Sequence, residues 1–310
     1  MVTVTLNPAI DHAVAIPRFR ANTVNRVSWE QQTAGGKGIN VASFLADYGF
    51  STVVTGFLGR INARPFEEHF GARQLEDRFV RVGGENRVNL KILNHAENEV
   101  TDINFPGLTP TLEDLAQLEL VLDTMAEDHE WFALSGSLPQ GFPAATYRSL
   151  VARLRSLRRL VLLDTAGEAL REAVVAQPSA IKPNVRELEE ALRRSLGTEA
   201  ELLAAGHELV KAGIGCVIIS RGAAGALFVD NHDAISARHP GPVTIQTTVG
   251  AGDALVAGYL AAQLERLDSE GTARLAIAFS IAALQRNGQA FPPRTALQKL
   301  AETVEVRPAR

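Results

Sequence analysis

Residues 131–164 read WFALSGSLPQGFPAATYRSLVARLRSLRRLVLLD, and this stretch decides the fold. Trp131–Ser135 is an apolar run of strand length, and Ser135-Gly136-Ser137-Leu138-Pro139 is a turn. Leu150, Val151, Leu154 and Leu157 then recur at helical spacing before a second apolar run, Leu160–Asp164. A strand, a helix and a strand in that order form the crossover that joins parallel neighbours, because a short turn can connect only antiparallel strands.

The alternation continues in both directions. Strand-length runs occur at Val2–Leu6, Thr52–Phe57, Ala180–Lys182 and Cys216–Ser220, with shorter ones at Ala226–Val229 and Ala234–Ala237. Helical patterns lie near Ile39–Tyr48, Arg64–Leu75, Leu112–Glu127, Ala144–Leu157, Val185–Leu192, Glu199–Ala212, Ala251–Leu267 and Gly271–Gln285. The pattern predicts an α/β fold, a doubly wound and mainly parallel sheet with helices on both faces. Residues 13–33 and 86–105 break it: they alternate polar and apolar, as in Arg87-Val88-Asn89-Leu90-Lys91-Ile92, and no helix separates the second pair of strands. They predict a small antiparallel sheet serving as a lid over a site, inserted into a single domain spanning 1–310.

Composition narrows the function. The 310 residues are 46% hydrophobic and 21% charged, which excludes a disordered chain, and the formal charge of −4 argues against a general nucleic-acid binder. Arg148, Arg153, Arg155, Arg158 and Arg159 read as the solvated face of one amphipathic helix. Cys216, the single cysteine, has no partner for an intramolecular disulfide, so a reducing cytoplasm is expected. No run approaches the ~18 apolar residues of a membrane span. The seven histidines lack metal-ligand spacing, which argues against zinc and leaves magnesium held by phosphates and water open.

The chemistry-bearing strings follow predicted strands or open predicted helices. Thr247-Thr248-Val249-Gly250-Ala251-Gly252-Asp253 places two glycines at a helix start, where backbone N–H groups and the helix dipole favour an anion. Asp253 is either a general base or an acid that simply favours a helix N-terminus. Gly35-Gly36-Lys37-Gly38-Ile39-Asn40 suits a phosphate or sugar hydroxyls, or a tight turn. Neither string is a Walker A loop or a dinucleotide fingerprint, since Gly36-Lys37 is followed by Gly38 and no G-x-G-x-x-G occurs. Asn7-Pro8-Ala9-Ile10-Asp11 follows the first strand, where ligands of open parallel sheets bind. Lys182-Pro183-Asn184-Val185-Arg186-Glu187 contains cap-to-N3 spacing and reads equally as a capping box. Ser220-Arg221-Gly222-Ala223-Ala224-Gly225 suits a nucleotide phosphate or a plain turn.

In this order the strings resemble the ribokinase-like sugar kinases, specifically their phosphofructokinase B branch, along essentially the whole chain. The resemblance implies an ATP-dependent kinase whose general base is Asp253 and whose anion hole is the backbone of Gly250, Ala251 and Gly252. It implies a sugar-phosphate site of Asp11, Gly36, Lys37, Asn40, Arg87, Asn89 and Ser137. Lys182, Asn184, Ser220, Gly222, Gly225 and Thr248 would serve the nucleotide, with Glu187 at its Mg2+. A homodimer formed through the lid is also implied. Arg26, Lys37, Arg87 and Lys91 favour a phosphorylated substrate. Val24–Val27, Arg87–Lys91 and Asp164-Thr165-Ala166-Gly167 look most like branch members that convert fructose 1-phosphate to fructose 1,6-bisphosphate. Tagatose 6-phosphate and fructose 6-phosphate are the alternative substrates, and a nucleoside is a more distant one. The departures at Ile61, Ala254 and 287–290 motivate a further alternative, a catalytically silent sugar-phosphate sensor.

Overall fold

The computed structural model describes residues 1–94, 96–97, 99–247, 249–286 and 290–309. Its strands are β1 (Val2–Thr5), β2 (Ala9–Ile16), β3 (Trp29–Gly35), β4 (Val53–Gly59), β5 (Glu76–Asp77), β6 (Val80–Val82), β7 (Arg87–Asn94) and β8 (Glu99–Ile103). They continue as β9 (Trp131–Ser135), β10 (Leu160–Asp164), β11 (Ala180–Ile181), β12 (Cys216–Ser220), β13 (Ala226–Asp230), β14 (Ala234–Arg238) and β15 (Glu305–Pro308). The helices are α1 (Lys37–Tyr48), α2 (Arg64–Arg73), α3 (Leu112–Asp128), α4 (Thr146–Ser156) and α5 (Gly167–Ala173). After them come α6 (Val185–Leu192), α7 (Glu199–Lys211), α8 (Ala251–Leu264), α9 (Ser269–Leu284) and α10 (Arg294–Glu302).

The large sheet runs β15-β14-β13-β12-β11-β10-β9-β1-β4-β5, with β6 also on β4. From β12 to β4 every pairing is parallel, as residues 131–164 predict, and Trp131–Ser135 pairs in register with Leu160–Asp164. β13, β14 and β15 extend one edge antiparallel. The chain leaves β1 towards β4 and later returns to β9 on the other side of β1. The direction of winding therefore reverses between β1 and β9, which opens a crevice at their carboxyl ends.

Both faces of the parallel strands are buried, which is why they read as continuous apolar runs rather than alternating ones. Val4, Leu134, Leu163, Ile181 and Val217 share one core with residues of α3, α4 and α7. Ala133, Leu162, Ala180 and Ile218 share the other with α1, α8 and α9. Helix α8 is buried on all sides through Ala254–Ala262, so its hydrophobicity is not confined to a stripe. No described helix is long and apolar enough to cross a membrane.

The second sheet, β3-β2-β7-β8, contains the strands anticipated within 13–33 and 86–105. Two details differ. Its central pair, β2 and β7, is parallel, because the chain passes through α1, β4 and α2 between them. The sheet also begins at Ala9, so Asp11 lies within a strand between Thr33 and Asn89 rather than in a turn after β1. The pattern also missed the short strands β5 and β6, helix α5, and the polar C-terminal elements α10 and β15.

The depth of α8 depends on Gly258: a Cβ there would lie 2.7 Å from the Ala276 Cα of α9. Replacing a helical glycine with alanine normally gains about 1 kcal/mol. Here the overpacking cost of about 1–3 kcal/mol opposes it, and the contacted atom is backbone that cannot rotate away. Gly258→Ala is expected to lower the urea midpoint at unchanged m-value; an unchanged or higher midpoint would show that α8 and α9 separate freely.

Candidate active site

Five neighbouring strands end in polar residues around the crevice: Asn7 after β1, Ser135-Gly136-Ser137 at the end of β9, Asp164 closing β10, Lys182 after β11 and Ser220 closing β12. At their centre is Asp164, fully buried. Its carboxylate accepts from Lys37 Nζ at 3.2 and 3.3 Å, and Lys182 Nζ lies 3.3 Å from its Oδ1. Lys182 is 4% exposed. Asp164 was missed as a site residue, although an acid closing the apolar run Leu160–Leu163 was a usable signal.

Lys37 reaches Asp164 because the chain turns sharply from β3 into α1. Gly36, the N-cap of α1, has φ 134°, and a Cβ there would press to 2.8 Å from Thr5 Cγ2, so only glycine fits. Burial pulls the Lys37 ammonium down, but the carboxylates of Asp164, Asp253 and Glu187 together outweigh it and hold its pKa above the ordinary lysine value. It therefore stays charged. One turn further along α1, Asn40 Nδ2 donates to Asp253 Oδ2 at 2.8 Å.

Asp253 is 7% exposed in the first turn of α8. Burial pushes its pKa up to about 6; Lys37 opposes that shift, Asp164 adds to it, and the Asn40 hydrogen bond and Lys182 oppose it. Gly250 is the N-cap with φ 81°, and among the described residues no side chain caps the helix start. The first N–H groups of α8 thus lack an intrahelical partner. A Cβ on Gly252 would lie 3.6 Å from Lys182 Nζ, which puts that ammonium against the same turn. Open amides, an ammonium and a carboxylate that titrates near neutrality can together bind an anion and accept a proton beside it. Thr248 lies outside the described residues.

On the side of the second sheet, Asn89 Nδ2 donates to Asp11 Oδ1 at 3.3 Å. Burial raises the Asp11 carboxyl, with Asn89, Lys91 and Arg87 opposing it. Arg87 donates to the carbonyls of Asn7 at 3.1 Å and Phe105 at 3.3 Å. Asn7 Nδ2 in turn lies 3.4 Å from Ser137 Oγ, so β1, β7 and the turn after β9 are tied together. The cations expected at the pocket differ in their surroundings. Lys91 is paired with Asp102 at 2.9 Å, Lys37 with Asp164, and Arg26 is exposed on the connection between β2 and β3.

The capping-box reading of Asn184 and Glu187 is realised. Asn184 Oδ1 accepts from Glu187 N at 2.9 Å, and Glu187 Oε2 accepts from Asn184 N at 2.8 Å. Asn184 also bridges to Ser220, bringing the Ser220–Gly225 turn beside the start of α6. Of the departures, Ile61 is 70% exposed and Ala254 is buried in the α8 core, while 287–289 lie outside the described residues.

Comparison with known proteins agrees with this architecture. The sequence pattern of the pfkB family carbohydrate kinases matches residues 4–296. The chain is 44% identical over 308 residues to a 1-phosphofructokinase of Rhodobacter capsulatus, covering 99% of this chain and 97% of that protein. It superposes on phosphofructokinase-2 from Escherichia coli in complex with substrates and products with a TM-score of 0.88 at 28% identity, covering 97% of this chain and 98% of that one. A further structure of the same Escherichia coli protein, TM-score 0.89 at 27% identity with 97% of both chains covered, is its tetrameric inhibited form. This corrects the expectation of a homodimer through the lid: a protein of this architecture assembles beyond a pair, so a lid contact does not by itself limit the assembly to two. With the family pattern spanning nearly the whole chain, this protein belongs to the pfkB family of carbohydrate kinases.

Proposed function

We propose that the chain transfers the γ-phosphoryl group of ATP to the 6-hydroxyl of fructose 1-phosphate, giving fructose 1,6-bisphosphate and ADP. The observation that carries this reading is the pairing of Asp253, buried with a pKa near 6, with the uncapped start of α8. The choice of sugar follows the 1-phosphofructokinases to which the chain is similar along its whole length.

In this reading Asp253 takes the proton of the 6-hydroxyl as its oxygen attacks the γ-phosphorus, and the bond to the bridging oxygen of ADP breaks. The amides of Gly250, Ala251 and Gly252, with Lys182 beside them, stabilise the charge spread over the transferring group. Asp11, Asn89, Gly36, Asn40 and Ser137 orient the sugar, and Arg87 meets its 1-phosphate. The strands of 13–33 and 86–105 act as the lid that excludes water. Asn184, Ser220, Gly222, Gly225 and Thr248 serve the nucleotide.

Membership of the family implies use of ATP with Mg2+. Among the described residues no three His, Cys, Asp or Glu side chains converge on one point. In this reading phosphates and water carry most of the ion's coordination and Glu187, whose Oε2 caps α6, is the protein contact. Such an ion neutralises phosphate charge.

Three measurements test the reading. Steady-state ATP consumption with fructose 1-phosphate, tagatose 6-phosphate and fructose 6-phosphate is expected to give the highest kcat/KM for the first. Binding of a sugar phosphate with no turnover of any would favour the silent sensor. Asp253→Asn is expected to lower kcat by about 10²–10⁴-fold while both KM values change little; near-normal turnover would remove Asp253 as the base. Because the base must be ionised, kcat/KM should fall below about pH 6. Asn40→Ala removes a donor that favours the carboxylate, so this acid limb should move to higher pH. A limb that stayed in place would show that Asn40 does not tune the base.

A further inference from the structure

The turn Ser220–Gly225 follows β12 at the end of the sheet that borders the crevice. Gly222 (φ 58°) has open space where a Cβ would project. The turn's first residue is tied to the neighbouring strand end, Ser220 N donating to Pro183 O at 3.0 Å, whereas the bonds beyond it are local: Arg221 N to Gly225 O at 2.8 Å, Gly225 N to Gly222 O at 3.0 Å and Ala224 N to Arg221 O at 3.2 Å.

Behind it lies the side chain of Arg221, which no local pattern singles out. Arg221 has a side chain only 9% exposed. Its Nη2 donates to the Ala224 carbonyl at 3.0 Å, inside the same turn, and to Ser236 Oγ on β14 at 2.9 Å. Its Nη1 donates to Glu199 Oε2 at the first residue of α7. Glu199 Oε1 accepts from Arg307 Nη2 on β15 at 2.8 Å, so one carboxylate joins the guanidinium to the outermost strand of the sheet. The Arg221 hydrogen bond holds the Glu199 carboxyl below its ordinary range. Three anchors from β14, α7 and the turn itself match the planar fork of arginine, and a lysine cannot reproduce them.

We infer that Arg221 is a positioning residue for the nucleotide, fixing the Gly222–Gly225 backbone against β14 and α7, with Glu199 orienting its guanidinium. The inference rests on the kinase reading above, and specifically on this turn serving ATP rather than the sugar. A merely structural role for Arg221 would lower stability without distinguishing the two substrates.

The test is a pair of KM values, for ATP and for fructose 1-phosphate, in the wild type, Arg221→Ala, Arg221→Lys, Glu199→Gln and Arg307→Ala. Calorimetric titration with a non-hydrolysable ATP analogue accompanies them. Arg221→Ala should raise KM for ATP about tenfold or more, a scale set by loss of one charged anchor, and weaken the analogue comparably. KM for the sugar phosphate should stay within about twofold. Arg221→Lys should behave nearly as badly, Glu199→Gln less so, and Arg307→Ala, whose side chain is 60% exposed, close to wild type. A folded Arg221→Ala with unchanged KM for ATP, or with both KM values raised equally, overturns the inference. If that variant fails to fold, Arg221→Lys decides by the same comparison. Absence of both turnover and analogue binding in the wild type would overturn the kinase reading itself, and the inference with it.

Discussion

The buried carboxylate of Asp164 and its two lysines are the constraint on which the rest of the site depends. An ion taken out of water this completely is tolerated only where opposite charge meets it. Asp164 therefore dictates that Lys37 and Lys182, arriving from opposite flanks, converge on the end of β10. Lys37 comes with the start of α1, and Lys182 comes with the approach to α6. The carboxylate thereby sets the distance between the two flanks of the crevice.

Charge balance follows from the same cluster. Lys37 and Lys182 face Asp164 and Asp253, so the group is close to neutral while Asp253 is ionised. When Asp253 is protonated, the group becomes positive, which suits it to an anion lying over the open amides of α8. The pKa of Asp253 near 6 reflects this compromise: burial and Asp164 push it up, while Lys37, Asn40 and Lys182 restrain it. The −4 of the whole chain carries none of this information.

Much of the architecture was legible because parallel strands buried on both faces leave continuous apolar runs, and 131–164 contains a complete crossover. The second sheet was legible from polar alternation, but its parallel centre was not. Strand direction there is set by a connection through the main body, which local pattern does not encode. Of the candidate site, Gly250–Asp253, Gly36–Asn40, Asn184 and Glu187 could be picked out because glycine and capping residues have local reasons to occupy their positions. Asp164, Arg221 and the Asn7–Ser137 contact were not. Each gains its meaning from a partner that sequence proximity does not supply, as does the pairing of Lys91 with Asp102 across a strand pair.

The hydrogen bond from Asn40 to Asp253 joins residues 213 positions apart, and the contact of Lys37 with Asp164 joins residues 127 apart. Contacts of such separation form late, because the entropy of closing large loops must be overcome before they return any stabilisation. The face of the sheet formed by Ala133, Leu162, Ala180 and Ile218 is covered by α1, α8 and α9, so it closes only once residues 251–284 are in place. Asp253 meets Asn40 through the same packing that closes this core, so the geometry at its carboxylate depends on the integrity of the whole second face of the sheet.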